Sequence, residues 1–314
     1  MFAARSSLAF VVALACSGCA TGGGGGKGWD QNGGGSSGGG LLGGASSGGD
    51  DGGGSLGGDD GGTVGPQGCT DGAKLVYVLS VEGDLYSFDP SQLSFQRIGH
   101  LACPSSGMPN SMAVDRSARA WVNYFDGLSG QIFEVSTADA SCQATSYSGP
   151  VKQMGMGFST NGANSSEDTL YVAELTGGGF GGGSFDTLDV STFALQKLGS
   201  MSAPAELTGT GDGRLYAFFA EGQTSLAQVN KGNGSLMSNK PLGLPGGTVA
   251  FAFSFWGGSF WFYTSPCDGQ ICTQGSTVHK YDPSTGQLTV AVQDVGFIID
   301  GAGESTCAPV EPPK

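Results

Sequence analysis

The 314-residue sequence has only two histidines, His100 and His279, and few basic residues. Nucleophilic triads need a histidine beside the nucleophile, and most metal centres need several convergent ligands. Two isolated histidines in strand-like segments provide neither. The 13 Lys and Arg are outnumbered by 27 Asp and Glu, so the chain lacks the basic surface typical of nucleic-acid binding. The same acidity disfavours peripheral binding to anionic lipid.

Long apolar runs are also missing. The apolar segment at residues 8–15 follows Arg5 and is too short to span a bilayer, so it predicts a signal peptide. No other run reaches the 18 residues that a transmembrane helix requires. The only membrane contact that the sequence predicts is therefore at the N-terminus.

The apolar segment ends in Ala15-Cys16-Ser17-Gly18-Cys19, which resembles a bacterial lipobox, where a cysteine becomes the lipidated first residue. Cys16 follows Ala13-Leu14-Ala15, which fits the lipobox better at the position three residues before the cleavage. Cys19 gives a more usual signal length and leaves an even number of cysteines in the domain, so we favour Cys19 and a signal peptide over residues 1–18. The alternative is an ordinary secretory signal with incidental cysteines. The resemblance to bacterial lipoproteins implies a cell-envelope protein sorted to the outer membrane, because no Asp follows either cysteine.

Glycine is concentrated near the N-terminus: residues 21–68 contain 25 of the 60 glycines and almost no large apolar side chains. Such a segment cannot bury enough apolar surface to offset its ordering entropy, which predicts a disordered tether over residues 19–68. Residues 69–314 carry 11 Lys and Arg against 22 Asp and Glu. They are long enough for one all-β domain.

A fifteen-residue pattern returns five times within this domain, starting at Leu85, Ile132, Phe185, Leu226 and Val278. Each copy has apolar residues in its first and fourth columns and Asp, Ser or Asn in its fifth. This is the pattern of two strands joined by a tight turn. The copies begin 41 to 53 residues apart, which is the spacing of propeller blades.

Further strand-like runs precede each copy, so the repeating unit has four antiparallel strands, A to D, from the inside outwards. The first unit lacks its A strand, whereas the chain ends with a run at residues 296–301 that matches residues 112–115. The sequence therefore predicts a five-bladed β-propeller closed by this C-terminal strand. The pattern resembles bacterial extracellular propellers of the NHL/YVTN type, without a WD or kelch signature.

Six cysteines remain in the exported domain, where disulfides persist. Cys69 precedes the first B strand and Cys307 follows the closing A strand, so we predict that this pair locks the ring. Cys267 and Cys272 share one loop, which leaves Cys103 and Cys142 to pair by exclusion.

Acidic residues on the inner strands are the only candidates for catalysis that remain. Five-bladed propellers include glycoside hydrolases whose carboxylates project into the central channel, and the candidates here are Asp115, Glu206 and Asp300. Asp115 and Asp300 precede turns, where Asp usually bonds local backbone. The same oxygen donors would also suit Ca²⁺; no other cofactor is expected.

Partner binding is the favoured function. The D–A and B–C loops share one face of a propeller, and the longer connections, residues 100–110, 125–131, 175–184 and 264–277, all lie there. Aromatic candidates on this face are Tyr124, Phe125, Phe180 and Tyr263. We expect a non-catalytic protein that binds an envelope protein or glycan; the alternatives are a propeller-type glycoside hydrolase and an envelope-assembly scaffold.

Overall fold

The computed structural model describes residues 68–163, 165–175, 182–268 and 271–312, which belong to one compact unit, Gly58–Lys314. These residues form five antiparallel sheets, each with a path of four strands, and a single short helical turn, Gly72–Lys74. The predicted five-bladed β-propeller is confirmed. The signal peptide, both candidate anchor cysteines, the tether up to residue 67 and Phe180 lie outside the described residues.

Each blade runs from an inner A strand to an outer D strand. The A strands are β21 (Ile299–Glu304), β4 (Met108–Val114), β8 (Met154–Thr160), β12 (Glu206–Gly209) and β16 (Thr248–Trp256). The B strands are β1 (Val76–Ser80), β5 (Arg119–Phe125), β9 (Asp168–Glu174), β13 (Leu215–Phe219) and β17 (Ser259–Asp268). The C strands are β2 (Asp84–Asp89), β6 (Gly130–Ser136), β10 (Ser184–Leu188), β14 (Ser225–Val229) and β19 (Thr277–Asp282). The D strands are β3 (Ser94–His100), β7 (Cys142–Ala144), β11 (Leu195–Ser200), β15 (Leu236–Pro241) and β20 (Gln287–Val292), while β18 (Ile271–Cys272) pairs only with β17.

The core is divided into five apolar clusters, one between each pair of neighbouring blades. The cluster between the last and first blades includes Val76, Val78, Trp256 and Trp261. Burying such faces between blades is what stabilises a propeller, because a single twisted sheet cannot cover both of its own surfaces.

The closing strand is β21, which pairs antiparallel with β1 from Ser80↔Ile299 to Val76↔Glu304. The prediction of a C-terminal closing strand is confirmed, but β21 begins and ends three residues later than the predicted residues 296–301. The apolar run that guided the prediction leads into the strand, whereas the strand itself is rich in small residues.

Small residues on the inner strands have a steric cause. A Cβ on Gly155 of β8 would lie 2.2 Å from the carbonyl oxygen of Ala205, and one on Gly209 of β12 would lie 2.0 Å from that of Phe158. On the other side of the ring, a Cβ on Gly303 of β21 would lie 2.9 Å from the carbonyl oxygen of Met112. The inner strands therefore approach one another backbone to backbone, and glycine permits this.

The repeated fifteen-residue pattern corresponds to the outer C–D hairpins. Its Asp in the fifth column is a turn residue: Asp89, Asp189 and Asp282 each accept a hydrogen bond of 2.8 Å from the backbone N–H two residues later. Short polar side chains favour this local bond, which explains why the column excludes larger residues.

All three predicted disulfides are formed, with Cα–Cα distances of 5.9 Å for Cys69–Cys307, 5.2 Å for Cys103–Cys142 and 4.0 Å for Cys267–Cys272. The first joins the two ends of the ring across 238 residues of chain. In the part of the chain that the structure describes, no helix has the length and apolarity needed to cross a bilayer.

Candidate functional site

The two faces of the propeller differ in how the central channel ends. We call them the A–B face, which carries the A–B and C–D turns, and the D–A face, which carries the D–A and B–C loops. After β21 the chain crosses the A–B face: the Ser305 hydroxyl donates to the Ala73 carbonyl at 2.7 Å, and the Gly257 N–H donates to the Pro309 carbonyl at 2.7 Å. This C-terminal tail covers the channel on the A–B face.

A buried ion pair fixes the tail beside blades 2 and 3. Arg116 donates to both carboxylate oxygens of Asp168, at 2.9 and 2.7 Å, and the Thr306 hydroxyl donates to the same carboxylate at 2.6 Å. The Arg116 and Asp168 side chains are 12% and 8% exposed, so this bidentate contact is shielded from solvent. The polar residues at the A–B end of the channel therefore hold the C-terminal tail in place.

Asp115, the first predicted channel acid, lies at this A–B end. Its carboxylate accepts hydrogen bonds from the backbone N–H groups of Ser117 and Arg119 at 2.8 and 3.1 Å, and from the Arg119 side chain at 3.1 Å. It also accepts a bond from Trp121 Nε1 at 3.4 Å. Asp115 orders the turn between β4 and β5 and does not converge with the other two acids.

Glu206 and Asp300 do approach each other, towards the D–A end. Glu206 is 3% exposed, and its carboxyl accepts a 2.7 Å hydrogen bond from the Ser111 hydroxyl of blade 2. Burial raises the pKa of Glu206 well above its usual range, and the negative charge of Asp300 raises it further, against the opposing effect of the Ser111 bond. Burial raises the pKa of Asp300 to about 7.

A third channel acid, Glu304, was not predicted. It is 5% exposed at the last position of β21, and the Thr208 hydroxyl of blade 4 donates to its carboxyl. Burial raises the pKa of Glu304 to about 8, although the Thr208 bond acts in the opposite direction. The predicted strand ended at residue 301 and so left Glu304 outside it. The alternation of Gly301 and Gly303, which matches Gly155 and Gly157 of β8, was the signal that could have found it.

These acids do not assemble a metal centre. Within the described ranges, no three His, Cys, Asp or Glu side chains are grouped so that they could hold a metal ion. The predicted Ca²⁺ site at Asp115, Glu206 and Asp300 also lacks the convergence that it needs, because Asp115 lies at the other end of the channel.

On the D–A face, an amide network joins blades 2 and 3. Gln153 Nε2 donates to Asn110 Oδ1 at 2.5 Å, and Asn110 Nδ2 donates to the Met154 carbonyl at 3.1 Å. The fully buried Asn123 donates to the carbonyls of Gln131 and Lys152, each at 3.2 Å. These bonds hold the loops around β4 and β5 in place.

The predicted aromatic surface is only partly available. Tyr124 is 5% exposed and Tyr263 is fully buried, with its hydroxyl 3.0 Å from the Ser254 hydroxyl, so both belong to the core. Burial raises the pKa of Tyr124 to about 12. Phe125 remains partly exposed.

Two apolar side chains that the sequence analysis did not single out lie beside Phe125. Met108 is its register partner at the start of β4 and is 58% exposed, and Leu128 in the following B–C loop is 89% exposed. We call Met108, Phe125 and Leu128 the rim patch. Its loop is preformed, because the Asp126 carboxylate accepts the N–H groups of Leu128 and Ser129 at 2.8 and 2.6 Å. Bonds from Ser129 and Leu128 lower the pKa of Asp126 to about 2.

A separate groove lies on the A–B side of blades 1 and 2, with a volume of about 710 Å³. Its wall includes Asp71, Arg119, Glu134 and Asp139. Arg119 is already engaged, since it contacts Asp115 at 3.1 Å and Glu134 at 3.2 Å. This groove could not be predicted from the sequence, because it forms between segments that are distant in the chain.

No protein-family model matches the chain, and a search of curated proteins finds no match. Among solved structures, a chain from a nidogen/laminin complex is similar over 73% of this chain and 97% of its own, at 10% identity and a TM-score of 0.44. A Bacteroides caccae protein of unknown function is similar over 72% of this chain and 84% of its own, at 13% identity and a TM-score of 0.42.

Proposed function

We propose that this protein is a non-catalytic binding protein that holds a protein partner on its D–A face, at the rim patch. The observation that carries the proposal is Leu128, an apolar side chain that is 89% exposed on a loop fixed by Asp126. An ordered loop loses little conformational entropy on binding, so exposed apolar area on it contributes efficiently to affinity.

The difference between the two faces supports the D–A face as the binding surface. The C-terminal tail lies across the A–B face, through the contacts of Ser305, Thr306 and Pro309. The D–A face carries the rim patch together with the longer loops, and recognition commonly resides in loops on a rigid scaffold. The burial of Glu206 at 3% exposure supports a role without catalysis, since a substrate must reach its general acid.

A protein partner accounts for the rim patch better than a glycan does. Met108 and Leu128 are aliphatic, and clustered exposed apolar side chains are a mark of protein–protein contacts. The acidic balance of residues 69–314 favours a partner surface with basic residues around an apolar centre.

The proposal includes the cellular setting predicted from the N-terminus. A lipidated Cys19 and a Gly-rich tether would hold an NHL/YVTN-like propeller at the bacterial outer membrane. The chain enters the described domain beside Cys69, on the A–B face and away from the rim patch.

The test is site-specific photo-crosslinking in intact cells. A photoreactive amino acid replaces Leu128 in one variant and Val290 in the matched control, since Val290 is 53% exposed on an outer D strand away from the rim patch. We expect a discrete crosslinked protein from position 128 and none from position 290. The Leu128→Asp substitution should abolish crosslinking from a probe placed at Met108.

Three results would overturn or redirect the proposal. Equal crosslinking from positions 128 and 290 would show that the rim patch is not the contact surface. Release of reducing sugar from oligosaccharides by the wild-type protein, abolished by Glu206→Gln, would favour the hydrolase. Crosslinks to several assembly factors from several blades would favour an envelope-assembly scaffold.

A further inference from the structure

Three buried side-chain oxygens lack any hydrogen-bond partner within the described residues, and two of them lie on one strand. They are Ser184 Oγ and Asp186 Oδ2 of β10; the third is Thr264 Oγ1 of β17. Alternate residues of a strand point to the same side, so Ser184 and Asp186 share a face. Asp186 is 4% exposed, which makes its unpartnered Oδ2 the most unfavourable of the three oxygens.

The surroundings of Asp186 add a second carboxylate. β10 pairs with β9 through Phe185↔Ala173 and Asp186↔Val172, which places Ser184 opposite Glu174. Glu174 bends towards β10, where its Oε2 accepts the backbone N–H of Ser184 at 3.1 Å.

Tyr147 lies close to both acids. Burial raises its pKa, and the negative charges of Asp186 and Glu174 raise it further. Its hydroxyl donates to the Val151 carbonyl at 2.5 Å rather than to either carboxylate. The phenol therefore gives neither carboxylate a hydrogen bond.

A neighbouring lysine does not supply the missing partner. Lys197 is the register partner of Asp186 on β11, but it is exposed and forms no ion pair with that carboxylate. An ion pair with Lys197 would also leave the hydroxyl of Ser184 without a hydrogen-bond partner.

We propose that Glu174, Ser184 and Asp186 form a Ca²⁺ site on the face of blade 3 that packs against blade 2. Two carboxylates and a hydroxyl are hard oxygen donors, and a divalent cation would compensate both negative charges at once. The buried position favours Ca²⁺ over Mg²⁺, because Mg²⁺ retains several of its waters and requires a near-ideal octahedron. This site is separate from the rim patch and from the channel acids.

Thermal unfolding of the chelator-treated protein tests the site, with CaCl₂ or MgCl₂ added back. We expect the Tm to rise with Ca²⁺ concentration, as it does for any ligand that binds only the folded state, and to rise less with Mg²⁺. Asp186→Asn should abolish the Ca²⁺-dependent shift. Asp189→Asn is the matched control, since Asp189 follows the same strand but caps an exposed turn.

Terbium luminescence gives an independent measurement. Tb³⁺ replacing Ca²⁺ beside Tyr147 should show emission sensitised by the phenol. Tyr147→Phe should reduce this emission while the Ca²⁺-dependent shift in Tm is retained. If Asp186→Asn fails to fold, Ser184→Ala keeps both carboxylates and should weaken Ca²⁺ binding several-fold by isothermal titration calorimetry.

The proposal fails if millimolar Ca²⁺ changes neither the Tm nor the calorimetric signal of the wild-type protein. It also fails if Asp186→Asn keeps the full Ca²⁺ response, which would place the ion elsewhere. A large loss of stability in Lys197→Met without any effect of Ca²⁺ would show instead that Lys197 compensates Asp186.

Discussion

At the scale of single residues, the channel is held by hydroxyl–carboxyl contacts between blades that are not neighbours in the chain. Ser111 of blade 2 contacts Glu206 of blade 4, and Thr208 of blade 4 contacts Glu304 of blade 1. Ser111 also accepts the Met156 N–H of blade 3 at 3.2 Å. These buried contacts link four inner strands, and they are compatible with carboxyl groups that remain protonated near neutral pH.

The pKa of Glu304 predicts that stability falls as the pH rises. The folded pKa of about 8 lies above the ordinary value of 4.5, so the folded state binds more protons than the unfolded state between these limits. The contribution is fully present below the unfolded pKa and is lost as the pH rises through the folded pKa. Each such proton changes the free energy of unfolding by about 1.4 kcal/mol per pH unit.

Glu304→Gln tests this prediction by urea unfolding between pH 5 and 9. The variant should show a shallower decline than the wild type and should be the more stable protein at pH 9. Glu82→Gln, at an exposed loop position, should keep the wild-type slope. Parallel curves for the wild type and Glu304→Gln would contradict the assignment.

Gly155 gives a second prediction at this scale. In Gly155→Ala the new Cβ would lie 2.2 Å from the Ala205 carbonyl oxygen and 2.8 Å from Glu206 Cα, and backbone atoms cannot rotate away. We expect a loss of roughly 1–3 kcal/mol in the free energy of unfolding, the usual cost of overpacking. Gly162→Ala has no atom within 4 Å of its Cβ and should stay within about 0.5 kcal/mol of wild type.

At the scale of elements, the outer hairpins were predictable and the inner strands less so. A C–D hairpin has one buried side and an Asp-stabilised turn, so its sequence carries both an alternating pattern and a turn signal, as in β2 and β3. An inner strand packs its backbone against the backbone of other inner strands, which requires glycine at the points of closest approach. A search for apolar runs therefore placed the closing strand three residues early and aligned Asp300 with Asp115, although the two lie at opposite ends of the channel.

The residues of the candidate site were also only partly predictable from the sequence. We predicted Tyr124 and Tyr263 as aromatic residues near long loops, but the second strand of a blade is covered on both faces, so both side chains lie in the core. Leu128 was overlooked because a single leucine in a polar loop carries no periodic signal. Its exposure follows from the turn that Asp126 stabilises, which is a property of the folded loop.

The closing strand yields a prediction about its disulfide. In a chain-entropy model, a bond across 238 residues stabilises by about 5 kcal/mol, whereas one across five residues stabilises by about 2 kcal/mol. The double substitution of Cys69 and Cys307 by Ser should therefore lower the denaturant midpoint more than the same change at Cys267 and Cys272. Equal losses in guanidinium unfolding would mean that strand pairing alone secures the closure.

At the scale of the whole molecule, the prediction concerns the anchor. If Cys19 is lipidated, metabolic labelling with a fatty-acid probe should mark the wild-type protein and Cys16→Ala, but not Cys19→Ala. The reverse pattern would assign the lipid to Cys16. No label on the wild type would favour an ordinary secretory signal.

The Cys69–Cys307 bond also determines how the propeller responds to mechanical load. A pull applied at residue 69 reaches residue 307 through one covalent bond, so β1 and β21 are drawn together from the same corner of blade 1. Their hydrogen-bonded ladder, from Val76↔Glu304 to Ser80↔Ile299, is not sheared by that force. Reduction of the bond would transfer the same force directly to β1 and open the ring there first. If the proposed anchor and partner pull on the propeller from opposite sides, the oxidised protein should therefore withstand a larger force than the reduced one.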